Sequence, residues 1–96
     1  MAYILRADGE TEEVDLPNGS ASMEEIQEAV GGYFALIELK DNKWAYVNEE
    51  GQLYELPFNK SLSDMAHPIY FGQDFCGDAL ICETKKEAGF DEDNAD

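Results

Sequence analysis

Apolar residues along this chain fall mostly in short runs separated by glycine, asparagine or proline, and only one stretch repeats them at helical spacing. Tyr3-Ile4-Leu5 and Glu13-Val14-Asp15-Leu16 stand on either side of Asp8-Gly9, the pattern of two strands joined by a hairpin turn. Pro17-Asn18-Gly19 breaks the second run. Ser22-Met23-Glu24-Glu25 then forms a Ser-x-x-Glu capping box, in which Ser22 caps the first turn and Glu25 reaches back to its backbone. Met23, Ile26 and Val30 share one face of the predicted helix, while Glu24, Glu25 and Glu28 face solvent. The early carboxylates also suit the positive end of the helix dipole. Gly31-Gly32 ends the helix, because glycine takes the left-handed C-cap conformation without a side-chain clash.

Tyr33 to Leu39 is the most apolar run and predicts a strand with a central place in the sheet. Asp41-Asn42 turns it into a second strand, Lys43 to Val47. Asn48-Glu49-Glu50-Gly51 reads as a further turn, and Gln52 to Leu56 as a brief strand that Pro57 stops. Ser61 to Asp64 begins a short helix that ends before Pro68. Ile69-Tyr70-Phe71-Gly72 and Ala79-Leu80-Ile81-Cys82 are the last predicted strands, separated by the Gly77-Asp78 turn. From Thr84 on, only Phe90 is a large apolar residue, so residues 84–96, and Glu87 to Asp96 above all, read as a solvated acidic tail. Short connections between strands favour antiparallel neighbours. The expected fold is therefore a single α+β domain over residues 1–83. It has a mostly antiparallel sheet of five to six strands, with the Ser22–Val30 helix packed on one face.

Ninety-six residues, 44% of them hydrophobic, are enough for one small globule. A core of that size, with sheet edges to cover, favours self-association, most simply a two-fold homodimer. The charge changes the picture more. Twenty-two acidic residues against six basic ones leave a net charge of −16. Such a field repels nucleic acid backbones and anionic membranes and attracts basic surfaces. No segment approaches a membrane span, and the N-terminal run lacks the long apolar core of a signal peptide, so the expected location is the cytoplasm. Cys76 and Cys82, placed along one strand, would lie about 20 Å apart, beyond the roughly 7 Å reach of a disulfide. They read as reduced apolar fillers. One histidine and no Cys-x-x-Cys spacing argue against a structural zinc site.

Four short motifs occur in a recognisable order: Gly31-Gly32-Tyr33, Asn48-Glu49-Glu50-Gly51, Leu56-Pro57-Phe58-Asn59 and Gly77-Asp78. In that order and spacing the stretch from Ile26 to Cys82 resembles the domain of unknown function family 3846, found in bacterial viruses and mobile elements. The resemblance implies a recurring fold without a settled activity. Members often carry an alanine on a short helix after the Leu-Pro-x-Asn element, a helix that Ser61 to Ala66 would supply. The N-terminal hairpin and the acidic tail fall outside the resemblance.

The candidate binding residues are Trp44, Tyr46, Asn48, Glu49, Glu50, Asn59 and Asp78, and each has a structural alternative. Glu49 and Glu50 could receive a cation or a partner's donors, or merely occupy a turn shaped by Asn48 and Gly51. As neighbours they point apart, which rules against a concerted acid–base pair. Asn59 could bind a ligand or cap the short helix from inside. Trp44 and Tyr46 share one strand face and make either an aromatic platform or core. His67 has neither a second histidine nor a nucleophile beside it.

No glycine-rich phosphate loop, nucleophile elbow or metal-binding run occurs. The expected function is a non-catalytic acidic binding protein of a bacterial virus or mobile element, without cofactor or metal. It would block a basic surface of a host defence or nucleic-acid-binding protein, with carboxylates standing in for DNA phosphates. The alternative is sequestration of a small nucleotide-like ligand in a pocket, possibly between subunits. A plainer reading is that the acidity only maintains solubility.

Overall fold

The computed structural model describes residues 1–90. It contains strands β1 (Tyr3–Leu5), β2 (Thr11–Glu13), β3 (Phe34–Glu38), β4 (Trp44–Asn48) and β5 (Ala79–Cys82), with helices α1 (Met23–Val30) and α2 (Lys60–Met65). The strands form one antiparallel sheet in the order β2-β1-β5-β4-β3, an α+β fold with one main helix. The last strand in sequence is thus the central one. Its four residues carry no polar side chain and are all buried, because both of its faces are covered. β3, expected at the centre, is instead an edge strand. Its apolar content reflects cover on both faces, Phe34 facing one core and Ile37 the other.

Register sorts the side chains into two cores. Leu5, Ile37, Ala45, Val47, Ala79 and Ile81 line one face, closed by Leu62 and Ala66 from α2 and by Leu39 and Phe75. Ile4, Leu80, Cys82, Trp44, Tyr46 and Phe34 line the other, closed by Ile26 of α1 together with Ala2 and Ala88. α1 starts as the capping box dictates: Glu25 N–H donates to Ser22 Oγ (3.1 Å) and Ser22 N–H to Glu25 Oε1 (2.8 Å). It stops at Gly31, whose φ of 83° belongs to the left-handed C-cap. Ile26 and Val30 are buried as expected, but Met23 is 65% exposed. Leu16 and Ala21, from the segment before the helix, pack against that core instead.

Three further expectations change. Gln52 to Glu55 form turns rather than a strand, because β4 already has β3 and β5 on its two sides and leaves no partner. Ile69 to Phe71 do not form a strand either. Pro68 lacks a donor for a ladder and opens a 3-10 turn over Pro68–Tyr70, with Ile69 N–H donating to His67 Nδ1. Residues 84–90, assigned to a tail on composition, pack as a strap across the α1 side of the sheet. Ala88 is only 3% exposed, the Tyr46 hydroxyl donates to its carbonyl, and the Phe90 ring meets Trp44 edge-on at 5.5 Å. Residues 91–96 of the expected tail lie outside the described residues. Both cysteines are free, and burial pushes the Cys82 thiol up to about 12.

A carboxylate set into the core under α1 and the strap has no partner, so Ala88→Asp and Ile26→Asp should each lower unfolding stability by roughly 3 kcal/mol or more. Met23→Asp should stay within about 0.5 kcal/mol, since it adds an acidic group to an exposed first turn. Denaturant melts of the three variants check this, and an Ala88→Asp melt matching wild type would return residues 84–90 to solvent.

Candidate functional site

The four motifs meet in two places, and in both the residues bind one another. At the end of β4, Asn48 Nδ2 donates to the carbonyl of Val30, the last residue of α1 (3.0 Å), while its Oδ1 accepts from Glu50 N–H (2.8 Å). Glu49 N–H donates to Tyr33 O (2.9 Å). The Gly-Gly-Tyr and Asn-Glu-Glu-Gly motifs are thus one joint between helix, edge strand and turn. Gly51 lets this turn lie against the 73–76 segment, since a Cβ there would come within 2.6 Å of Cys76 O.

The second joint centres on Asn59, whose exposure is 0%. Its Nδ2 donates to Leu5 O (3.1 Å) and Gly77 O (3.0 Å), and its Oδ1 accepts from Leu62 N–H (2.9 Å), capping α2. Gly77 N–H donates to Pro57 O (2.7 Å). Asp78 is held beside it, accepting from Ala7 N–H (3.0 Å) and Arg6 Nη1 (2.8 Å). Asn59 is therefore the enclosed inner cap of α2, while Asp78 ties the hairpin to this joint and stays partly exposed.

Trp44 and Tyr46 do share a face, and that face is covered. α1 and the 84–90 strap lie over it, with Phe34 packed edge-on against Tyr46 at 5.3 Å. Glu49 and Glu50 remain available. Together with Asp74 they rim a cleft of ≈ 410 Å³ whose floor is Ala35, Ile37 and Val47. Asp74 and the floor residue Ala35 were not anticipated, because positions so far apart in sequence leave no local signal of their meeting. On the other side of Glu50, the exposed Tyr33 and Tyr54 border a shallower hollow beside Gln27.

A third hollow, also ≈ 410 Å³, runs between the β1–β2 hairpin and α1, with Glu12, Glu13, Glu25 and Glu28 around it. Its one cation, Arg6, is already bonded to Asp78 and Glu12, and those bonds raise its pKa further above the ordinary guanidinium value. Among the described residues no group of three or more histidine, cysteine or carboxylate side chains is placed to hold a metal ion. No described helix is long and apolar enough to cross a membrane.

An α+β domain whose motif residues tie its own segments together, and which carries carboxylates around three of its hollows, is the class that fold and site define. The family model described as Domain of unknown function (DUF3846) matches residues 1–94, and the chain belongs to that family. The match takes in the N-terminal hairpin, which is consistent with Leu5, Arg6 and Ala7 being bonded to the Asn59–Asp78 joint. No curated protein and no solved structure matches the chain.

Asn59→Ala strands the Gly77 carbonyl and the Leu62 N–H in a dry site and takes a second donor from Leu5 O, so it should cost on the order of 3 kcal/mol. Asn48→Ala acts at a half-buried joint that water can reach and should cost about 1 kcal/mol. Urea melts of the two variants decide the order, and equal costs would remove Asn59 from its central role.

Proposed function

We propose that this protein is a non-catalytic binding protein whose acidic surface engages a basic surface of another protein. The observation that carries this reading is the hollow between the hairpin and α1, where four glutamates stand around one arginine that is shared between Glu12 and Asp78, so that Glu13, Glu25 and Glu28 have no ion pair among the described residues. An uncompensated field of this sign speeds encounter with a positive partner and sets register on contact. The setting implied by the family resemblance, a bacterial virus or mobile element, makes a host defence or nucleic-acid-binding protein the natural target. Carboxylates would there take the place of phosphates, in the cytoplasm.

The alternative, a nucleotide-like ligand stacked on Trp44 and Tyr46, loses support because helix and strap occupy that platform. The carboxylates that rim the cleft floored by Ala35, Ile37 and Val47 also repel phosphate.

Glu25→Gln combined with Glu28→Gln keeps the capping box, since glutamine can take the same return bond. The pair should slow association with polylysine by roughly threefold to tenfold at low salt, with little change in dissociation and almost no effect at high salt. A nucleotide panel run in parallel should give no thermal shift. A nucleotide response with unchanged polylysine kinetics would reverse the assignment.

A further inference from the structure

β3 is an outer strand of the sheet, and its backbone is only half used. Tyr33 O accepts from Glu49 N–H, and Leu39 N–H donates to Lys43 O, so Tyr33, Ala35, Ile37 and Leu39 turn their backbone groups toward β4. Phe34, Leu36 and Glu38 turn theirs outward. At Glu38 the outward positions are filled: its N–H donates to the Tyr70 hydroxyl (3.0 Å) and its carbonyl accepts from His67 N–H (3.1 Å). At Phe34 and Leu36 the outward N–H and C=O groups have no partner among the described residues.

This open stretch borders the cleft floored by Ala35, Ile37 and Val47. A segment laid along it exchanges hydrogen bonds with both residues, as strand addition requires. The added residue opposite Ala35 points into the cleft, where Glu49, Glu50 and Asp74 stand and no cation lines the wall. The added residues on either side lie opposite Phe34 and Leu36, on the other face of the sheet, and each finds an apolar neighbour.

We infer that the Phe34–Leu36 edge is a strand-addition site for an extended basic segment of a partner protein, with Lys or Arg opposite Ala35 and apolar residues flanking it. This rests on the reading that the partner is a basic protein, and it specifies where and in what conformation that partner binds. A second copy of the chain is the competing occupant, but it sets one charge of −16 against another. A basic segment is drawn to the same edge.

The test is titration of the full chain with an end-blocked Lys-Val repeat peptide, followed by amide shifts and calorimetry. A peptide of equal charge with proline at alternate positions is the control. The Lys-Val peptide should bind, move the amides of Phe34 and Leu36, and exceed the proline peptide by about tenfold or more in affinity. Leu36→Pro removes only an outward N–H, which an edge strand tolerates, and should weaken the Lys-Val peptide about tenfold. Should that variant fail to fold, Glu50→Gln with Asp74→Asn should weaken the peptide by about the same factor through surface positions alone. Equal binding of both peptides, with shifts at Glu25 and Glu28 instead, overturns strand addition and leaves the acidic-surface reading standing. Binding of neither peptide overturns both. A dimer in the absence of peptide that Leu36→Pro dissolves assigns the edge to a second copy and overturns the proposal.

Discussion

The amide of Asn59 is sealed from water, and three separate segments of the chain end their backbone hydrogen bonds on it. It holds the end of β1 through Leu5 O, the turn into β5 through Gly77 O and the start of α2 through Leu62 N–H. A primary amide is the side chain that can do this, since it offers two donors and an acceptor in one plane. An aspartate would present a charge to two carbonyls, and a leucine would leave Gly77 O and Leu62 N–H unpaired. β5 takes the central position because this joint delivers it there between β1 and β4. The sheet order, and the two cores that depend on it, follow from that placement.

With segments far apart in sequence tied at one point, the carboxylates are free to serve other ends. Five of them take part in ion pairs among the described residues: Glu12, Asp64, Asp78, Glu83 and Glu87. The pairs lie at the surface, where each contributes little to stability. Stability therefore rests on two small apolar layers, and they must also offset the self-repulsion of a −16 chain. The glutamates stand near both outer strands, Glu12 and Glu13 on β2, Glu49 and Glu50 beside β3. Charged edges discourage sheet-to-sheet pairing between copies. In the proposed strand addition, the same charges would favour a chain of opposite sign at the open part of β3.

The structure also changes what the recurring motifs mean. Gly31-Gly32-Tyr33 and Asn48 to Gly51 close one joint, and Leu56 to Asn59 with Gly77-Asp78 closes the other. Residues that looked like candidates for ligand contact, Asn48, Asn59 and Asp78, are occupied with backbone groups of their own chain. The carboxylates beside them, Glu49 and Glu50 on the turn that Asn48 shapes, and the edge that leads away from Tyr33 are the features on which the proposed binding rests.

Local chemistry was legible because it acts over a few residues. Ser22 and Glu25 announce a helix start, Gly31 its end, and Asp8-Gly9 and Asp41-Asn42 their turns, while Asn59 offered a cap or a ligand contact and only the fold chose the cap. The alternation of Trp44, Ala45, Tyr46 and Val47 correctly assigned side chains to opposite faces. Composition alone could not say what covers those faces, or that Ala88 and Phe90 belong to one of them, because a single small or aromatic residue in an acidic run carries no period. It also could not place β5 at the centre and β3 at the edge, since both read as apolar strands and only pairing separates them. Helix caps and turns are settled by bonds between neighbours in sequence. Strand order, the strap and the cleft at β3 depend on which distant segments compete for the same backbone groups, and that competition is resolved only in the folded chain.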